Sequence, residues 1–247
     1  LQFPVRLVES GPAGGALLSA ELARSFDIDQ ALSFDMGGTT AKLCIINDGQ
    51  PRTSREFEVG REYRFLAGSG LPLRLPVIEM VEIGAGGSSV ARLDELGRVA
   101  VGPQSAGSEP GPACYGRSGS EPTVTDADVA LGRILPEGFS TGDLNFSKDA
   151  AVAAINDKLV NAGGFDPSTA ALAITETVDE NMASAGRVHA IEQGCDITNG
   201  TLIAFGGAAP LHAVRVAEKL GMTEVIIPSG AGVGSAIGFL HAPASHE

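Results

Sequence analysis

Asp35-Met36-Gly37-Gly38-Thr39-Thr40-Ala41-Lys42 decides the fold, because it joins two apolar runs, Ala31-Leu32-Ser33-Phe34 before it and Leu43-Cys44-Ile45-Ile46 after it. The pattern predicts a strand, a glycine turn and a second strand. Glycines at the bend adopt backbone angles that a side chain would forbid, so consecutive N–H groups can converge on an anion, and the two threonines add hydroxyl donors. Such a loop is shaped for phosphate. An aspartate just before it would repel phosphate unless a divalent cation stood between them, which assigns Asp35 to Mg²⁺ or to a water bound to it. The other reading of the same residues is an ordinary hairpin connection.

A second glycine loop far downstream favours the first reading. Thr201-Leu202-Ile203-Ala204-Phe205 reads as a buried strand, and Leu211 to Leu220 as an amphipathic helix closed by Gly221. Between them lies Gly206-Gly207-Ala208-Ala209-Pro210. A strand, a double glycine and a helix opened by proline make a sharp turn that lets a flat ligand approach the backbone. Two such loops at strand ends can grip a nucleotide from two sides of a cleft, and Gly38 and Gly207 are therefore expected to face a common space.

Asp35 to Lys42, Gly206 to Ala213, Gly84-Ala85-Gly86-Gly87-Ser88 and Gly111-Pro112-Ala113-Cys114-Tyr115-Gly116, in this order along nearly the whole chain, resemble the hydantoinase/oxoprolinase family in its hydantoinase A (N-methylhydantoinase A) branch. The resemblance implies an α/β fold of the actin-like ATPase (ribonuclease H-like) class, a mixed sheet with flanking helices. It implies ATP and Mg²⁺ as cofactors. Asp35 falls on the metal side, Gly37, Gly38, Thr39 and Thr40 on phosphate, and Gly206, Gly207 and Pro210 beside the adenosine. His212, two residues into the next helix, either orients that loop or contacts the ligand. The implied activity is ATP-dependent opening of a cyclic amide of hydantoin or 5-oxoproline type. An ATP-dependent carboxylase of the acetone or acetophenone type and a non-catalytic nucleotide-binding module are the alternatives. The family's first phosphate hairpin has no counterpart in residues 1–247. The chain is therefore expected to be a partial hydantoinase A-type ATPase domain, completed by a preceding domain and a hydantoinase B-type subunit or domain, and oligomeric.

Composition sets the outer bounds. With 247 residues and 43% hydrophobic content the chain can bury a substantial core. It carries 17 Lys and Arg against 30 Asp and Glu, a net charge of −13, and no basic run, which argues against nucleic acid as a partner. Cys44, Cys114 and Cys195 are far apart and form no Cys-x-x-Cys pair, so neither a zinc site nor a disulfide framework is expected, and a reducing cytoplasm fits. Cys114, in a glycine-proline loop, is the one cysteine open to a functional role. The apolar stretch Val225 to Leu240 is interrupted by Pro228 and glycines and is shorter than the ~20 residues a membrane crossing needs. The start at Leu1, with no methionine or leader, is that expected of a chain cut from a longer one.

Further elements follow from pattern. An extended stretch at Pro4 to Val8 precedes a helix from Ser10 to about Phe26. Arg52, Arg55, Arg61, Arg64 and Arg74 mark a solvated surface. Val77 to Ile83 reads as one strand, and Val90 to Leu93 with Arg98 to Val101 as a hairpin. The segment Gly102 to Gly119 is expected to be an ordered loop, and Thr125 or Asp126 to cap the following helix, the alternative being that one of them binds a cation. Ser147 opens a helix through Val160, and Asp166-Pro167 a long one to Gln193. On the long helix Ile174, Val178, Met182, Ala185 and Val188 form an apolar stripe, His189 beside it is expected to be a satisfied, partly buried histidine, a substrate role being the alternative, and Glu176, Asp179 and Glu180 form an acidic edge expected to be solvated rather than catalytic.

Overall fold

The computed structural model describes residues 10–55, 57–59, 69–138 and 146–242. Pro4 to Val8, Arg61 and Arg64 lie outside them. Helix α1 (Ser10–Ser25) precedes the hairpin of β1 (Gln30–Met36) and β2 (Ala41–Asn47). Short strands follow: β3 (Gln50–Pro51), β4 (Thr53–Ser54), β5 (Phe57–Val59), β6 (Leu71–Leu73), β7 (Val77–Ile78) and β8 (Val81–Ile83). The hairpin of β9 (Ser89–Leu93) and β10 (Val99–Ser105) leads through an irregular loop to α2 (Val124–Ala130), α3 (Lys148–Ile155), α4 (Asn161–Gly163) and α5 (Pro167–Glu192). The chain closes with β11 (Thr201–Phe205), α6 (Ala209–Leu220), β12 (Glu224–Ile226) and α7 (Gly234–Leu240).

The main sheet is mixed, in the order β12-β11-β1-β2-β3, with β8 also pairing to β2. β1 and β2 are antiparallel, whereas β11 runs parallel to both β1 and β12. Period-two alternation sorts its side chains into two cores. Leu32, Phe34, Met36, Leu43, Ile45, Leu202 and Ala204 pack with Ile174, Val178 and Met182 of α5 and Ala213 and Val216 of α6. On the other face Ala31, Cys44, Ile46, Ile203 and Phe205 pack with Ala16, Leu18, Ala20 and Ala23 of α1. Each fully buried Phe, Leu or Ile stabilises the sandwich by about 1.5–3 kcal/mol relative to exposure. This is the mixed sheet with flanking helices that the hairpin and the β11-α6-β12 succession require.

Local readings held where caps and glycines mark the ends. Ser147 caps α3 by accepting from the Ala150 amide, and Asp166 caps α5 by accepting from Ser168 and Thr169. The helix opened by Ser147 is not regular to Val160, because Asn156–Val160 widens into a π turn before α4 ends at the left-handed Gly164. Val77 to Ile83 is two strands rather than one: β7 pairs with β4 and β8 with β2, and the chain changes partners at Glu79, whose amide donates to the Arg52 carbonyl. Helix α2 is capped by Thr123, with Asp126 closing the reciprocal bond. Asp126 also accepts from the amides of Ala113 and Cys114 at 3.1 and 2.7 Å, which fixes the Gly111 to Gly116 loop and leaves this carboxylate without a cation role.

Helices α1 and α7 cross closely enough that small residues are obligatory. A Cβ on Gly238 would overlap the Gly14 carbonyl of α1, and one on Gly15 would lie 2.5 Å from the Phe205 ring. Gly238→Ala is therefore expected to destabilise the protein by about 1–3 kcal/mol or more, since backbone has to move. Gly11→Ala in the same helix α1 meets nothing within 4 Å and is expected to be neutral or to stabilise by up to ~1 kcal/mol. Chemical denaturation of both variants checks the contrast.

Candidate functional site

The parallel pairing of β1 with β11 sets Asp35 opposite Phe205, so the turn after each strand emerges at the same edge of the sheet. The β1-β2 turn is closed by the Gly37 amide donating to the Thr40 carbonyl at 3.1 Å. After β11, Gly206 bends at φ 98° with its amide on the Ala231 carbonyl. The Ala208 amide then donates to the Met36 carbonyl at 2.9 Å, tying the second loop to the end of β1. A Cβ on Gly206 would sit 2.5 Å from both Asp35 Oδ1 and the Met36 carbonyl oxygen, so only glycine allows this approach. The two loops thus converge as their positions at strand ends require.

A third glycine run completes the convergence. The Gly87 amide donates to the Gly37 carbonyl at 3.0 Å and the Ser88 amide to the Gly38 carbonyl at 2.6 Å. Gly86 passes so near that a Cβ would lie 2.6 Å from the Gly38 carbonyl and the Thr39 nitrogen. Thr125 at the start of α2 holds this run from behind, its amide and hydroxyl both donating to the Gly87 carbonyl at 2.8 and 2.9 Å. With its carbonyls engaged from one side, the turn keeps the amides of Gly38 and Thr39 without an acceptor among the described residues, and both residues are exposed. Residues 84–88 carried no role in the sequence reading beyond the family resemblance. Their glycine density was the available signal, since backbone-to-backbone docking at this distance tolerates no Cβ.

Asp35 lies beneath the turn on the α1 and α7 face of the sheet. Its Oδ2 accepts from the Ser235 hydroxyl at 3.0 Å, and its Oδ1 has no donor among the described residues. Burial pushes its carboxyl above the usual range, opposed by the Ser235 hydrogen bond and by Lys42. The Lys42 ammonium donates to Thr40 Oγ1 at 2.8 Å and pairs with Glu82 at 3.1 Å, so it braces the turn. Among the described residues no cluster of three or more His, Cys, Asp or Glu could cage a metal ion. A single carboxylate with one oxygen that has no donor among the described residues fits Mg²⁺, which keeps several waters and completes its shell from substrate phosphates. A Cβ on Gly37 or Gly207 would meet nothing within 4 Å, so each of the two loops borders open space.

His212 does not join this surface. It is fully buried on the first turns of α6, with Nδ1 2.7 Å from Asp179 Oδ1 and Nε2 3.2 Å from Asp128 Oδ2, the latter a charge contact without hydrogen-bond alignment. Arg133 contacts the other oxygen of Asp128 at 3.2 Å. The His212 ring is fully buried and ties α6 to Asp179 of α5 and Asp128 of α2. Asp179 corrects the sequence reading more sharply. It is fully buried, while its neighbours Glu176 and Glu180 do lie outward, paired with Arg215, Lys219 and Arg187. Thr175 and Met182, at helical spacing from Asp179, are both buried and were the signal for its burial.

Cys44 and Cys114 are buried, and their thiols are held protonated. Burial pushes the Cys44 thiol up to about 12, and burial with the neighbouring Asp126 carboxylate raises Cys114 further. Cys114 is thus a packing residue under α2 and α3, and the functional role held open for it has no support. His189 is buried and held neutral, its pKa pushed down to about 4 by burial and by Arg52.

A mixed sheet with flanking helices, whose hairpin turn and strand-to-helix loop converge beside one acidic side chain, defines an α/β protein in which residues 35–40 and 206–210 meet at one edge of the sheet. The hydantoinase/oxoprolinase family model matches residues 1–247, and the chain belongs to that family. It is 38% identical over 224 residues to the caprolactamase subunit alpha of Pseudomonas jessenii, covering 91% of this chain and 31% of that one. The crystal structure of that ATP-dependent caprolactamase superposes with a TM-score of 0.81 over 92% of this chain and 32% of its own, at 36% identity. The acetophenone carboxylase gamma subunit of Aromatoleum aromaticum is 36% identical over 208 residues, 84% of this chain and 27% of the relative. The chain spans about a third of the length of some of the curated relatives it matches, 35% and 31% for two of them, and under a fifth of others. No helix among the described residues is long and apolar enough to cross a membrane.

The buried ion group makes a pH prediction. Burial alone would lower the His212 pKa, but the carboxylates of Asp128 and Asp179 hold it up at about 9. A histidine raised above its unfolded value near 6.5 contributes stability that is full below that value and is lost as pH rises through about 9. The melting temperature is expected to fall between about pH 7 and 9.5, and His212→Gln to flatten that slope. His212→Ala should cost about 3–5 kcal/mol by leaving two buried carboxylates with one cation between them. Melts across that pH range test both statements.

Proposed function

We propose that this chain forms one wall of a Mg-nucleotide site in an ATP-dependent enzyme that opens a small cyclic amide. The observation that carries the reading is the Gly37 to Thr40 turn, where exposed Gly38 and Thr39 have amides with no acceptor among the described residues, beside the Gly207 loop and a carboxylate whose Oδ1 has no donor among them. In this reading Asp35 holds Mg²⁺ or its water, Gly37, Gly38, Thr39 and Thr40 bind phosphate, and Gly206, Gly207 and Pro210 border the adenosine. Bound Mg²⁺ would neutralise phosphate charge, and the oriented amides would stabilise the transferring phosphoryl group. Phosphorylation of an amide oxygen turns a poor electrophile into one that water can open. Likeness to a caprolactamase subunit supports a cyclic amide of hydantoin or 5-oxoproline type as substrate.

Likeness to a ketone carboxylase subunit supports a second reading, in which the same phosphoryl transfer activates an enol or bicarbonate. Both relatives are named as subunits, which supports a partner domain or chain, here taken as a preceding domain carrying the first phosphate hairpin and a hydantoinase B-type subunit. A reducing cytoplasm is the compartment proposed for the chain, on the wide sequence spacing of Cys44, Cys114 and Cys195 and their lack of a Cys-x-x-Cys pair.

Asp35→Ala in the complete enzyme should lower Mg-dependent ATP turnover by on the order of 10²-fold or more while leaving the melting temperature within a few degrees. Unchanged turnover sinks the assignment. Cyclic amides and ketones offered in parallel to the wild-type enzyme decide between the two substrate classes. Residues 1–247 alone should neither hydrolyse ATP at an enzymatic rate nor bind it at micromolar concentration. Calorimetric titration with Mg-ATP and a phosphate-release assay read both, and steady turnover by this chain would show that its site needs no second wall.

A further inference from the structure

Asp35 and Ser235 are 200 positions apart, yet the Ser235 hydroxyl donates to Asp35 Oδ2 at 3.0 Å. Ser235 is the second residue of α7, and its placement is over-determined by the helix crossing. A Cβ on Gly14 would collide with the Ser235 carbonyl oxygen, one on Gly15 would stand 3.2 Å from the Ser235 hydroxyl, and one on Gly234 would press to 2.8 Å against the Phe205 side chain. Gly238, one turn on, lies in backbone contact with α1. These glycines bring α7 down onto α1 and onto the end of β11, which leaves Ser235 little freedom. The opposite side of the carboxylate is bounded by Gly206, where a Cβ would lie 2.5 Å from Oδ1, and Oδ1 accepts no hydrogen bond among the described residues.

We infer that Ser235 is a positioning residue for Asp35: it holds Oδ2 so that the carboxylate keeps one rotamer and presents Oδ1 to the cation of a Mg-nucleotide. The inference rests on the reading of Asp35 as the metal-side residue. Its physical basis is that a carboxylate pinned through one oxygen loses less rotational freedom when the other binds a cation. A serine in a loop would serve poorly, because its hydroxyl would have to be ordered at the moment of binding. Anchored on a helix that cannot slide past α1, it is ordered beforehand. The glycine-lined crossing and the metal-side carboxylate are then parts of one device, although they come from opposite ends of the chain.

The test uses the complete enzyme with Mn²⁺ as the probe cation in the presence of a non-hydrolysable ATP analogue. Binding is read by the Mn²⁺ electron paramagnetic resonance signal, and ATP turnover is measured separately. Ser235→Ala is expected to weaken Mn²⁺ binding by about 10-fold or more, the usual range for a residue that orients a metal ligand. The discriminating measurement is the double variant. In an Asp35→Ala background, Ser235→Ala should change Mn²⁺ affinity by less than about twofold, because its effect runs through Asp35. Equal losses in both backgrounds, or wild-type Mn²⁺ affinity in Ser235→Ala, would overturn the positioning role while leaving Asp35 in place. A structural role alone would lower the melting temperature alike in both backgrounds and produce no coupling. Ser235→Gly, which removes the hydroxyl and adds no bulk, repeats the cycle should the alanine variant not fold. If Asp35→Ala by itself leaves Mn²⁺ binding intact, the metal-side reading fails, and the two failures are thereby told apart.

Discussion

The pairing of β1 with β11 is the constraint on which the rest depends. Strands 170 positions apart lie parallel and in register from Ala31 opposite Thr201 to Asp35 opposite Phe205, so both end at one edge of the sheet. Parallel neighbours cannot be joined by a tight turn, and the chain between them must leave the sheet and return. It does so through β2, the β9-β10 hairpin and helices α2 to α5. That excursion brings the Gly84 to Ser88 run and the start of α2 back to the same edge. A one-residue slip in the pairing would turn Leu32, Phe34 and Met36 away from α5 and α6, and would move Asp35 off the α1 face. The core and the candidate site are therefore fixed by the same register.

Glycine supplies the second constraint, through missing volume more than through flexibility. At Gly86 and Gly206 another backbone or carboxylate occupies the place of a Cβ, and at Gly238 a helix does. Contacts of this kind let amides and carbonyls of separate loops bond directly: Gly87 to Gly37, Ser88 to Gly38, Ala208 to Met36. Each bond contributes only about 0.5–1.5 kcal/mol net. Their value lies in orientation, since a turn whose carbonyls are committed on one side holds its free amides in a fixed direction before any ligand arrives.

What could be read in the sequence was local. The hairpin, the β11 loop, the capped helices and the apolar stripe of α5 each announce themselves within a dozen residues through spacing, caps and glycine. The buried trio of Asp128, His212 and Asp179 did not, because its members come from three helices and each looks ordinary alone. Asp179 stands between two glutamates that are solvated, and only its register with Thr175 and Met182 separates it from them. Ser235 was invisible for the same reason: a serine in a glycine-rich helix has no meaning until the register of β1 sets Asp35 beside it. The split of Val77 to Ile83 between two sheets likewise depends on which partners are near, which alternation of residue types does not encode.

The exposure of the candidate phosphate turn bears on how such a site must work. Amides at Gly38 and Thr39 on an open surface compete with water for an anion, and a charge pair about 4 Å apart is worth only ~1 kcal/mol in bulk water. The same pair gains severalfold once low-dielectric surface closes over it, at an effective dielectric constant nearer 20. A carboxylate beneath the turn sharpens the point, because without a cation it repels the phosphate that the amides attract. Oriented donors, a pinned acid and a metal ion reinforce one another only inside an enclosure, and one wall supplies orientation without enclosure. That asymmetry accords with a chain that spans about a third or less of its relatives' length. On the proposed reading these residues fix directions, and the energy of phosphate binding would grow when a second surface excludes water from them.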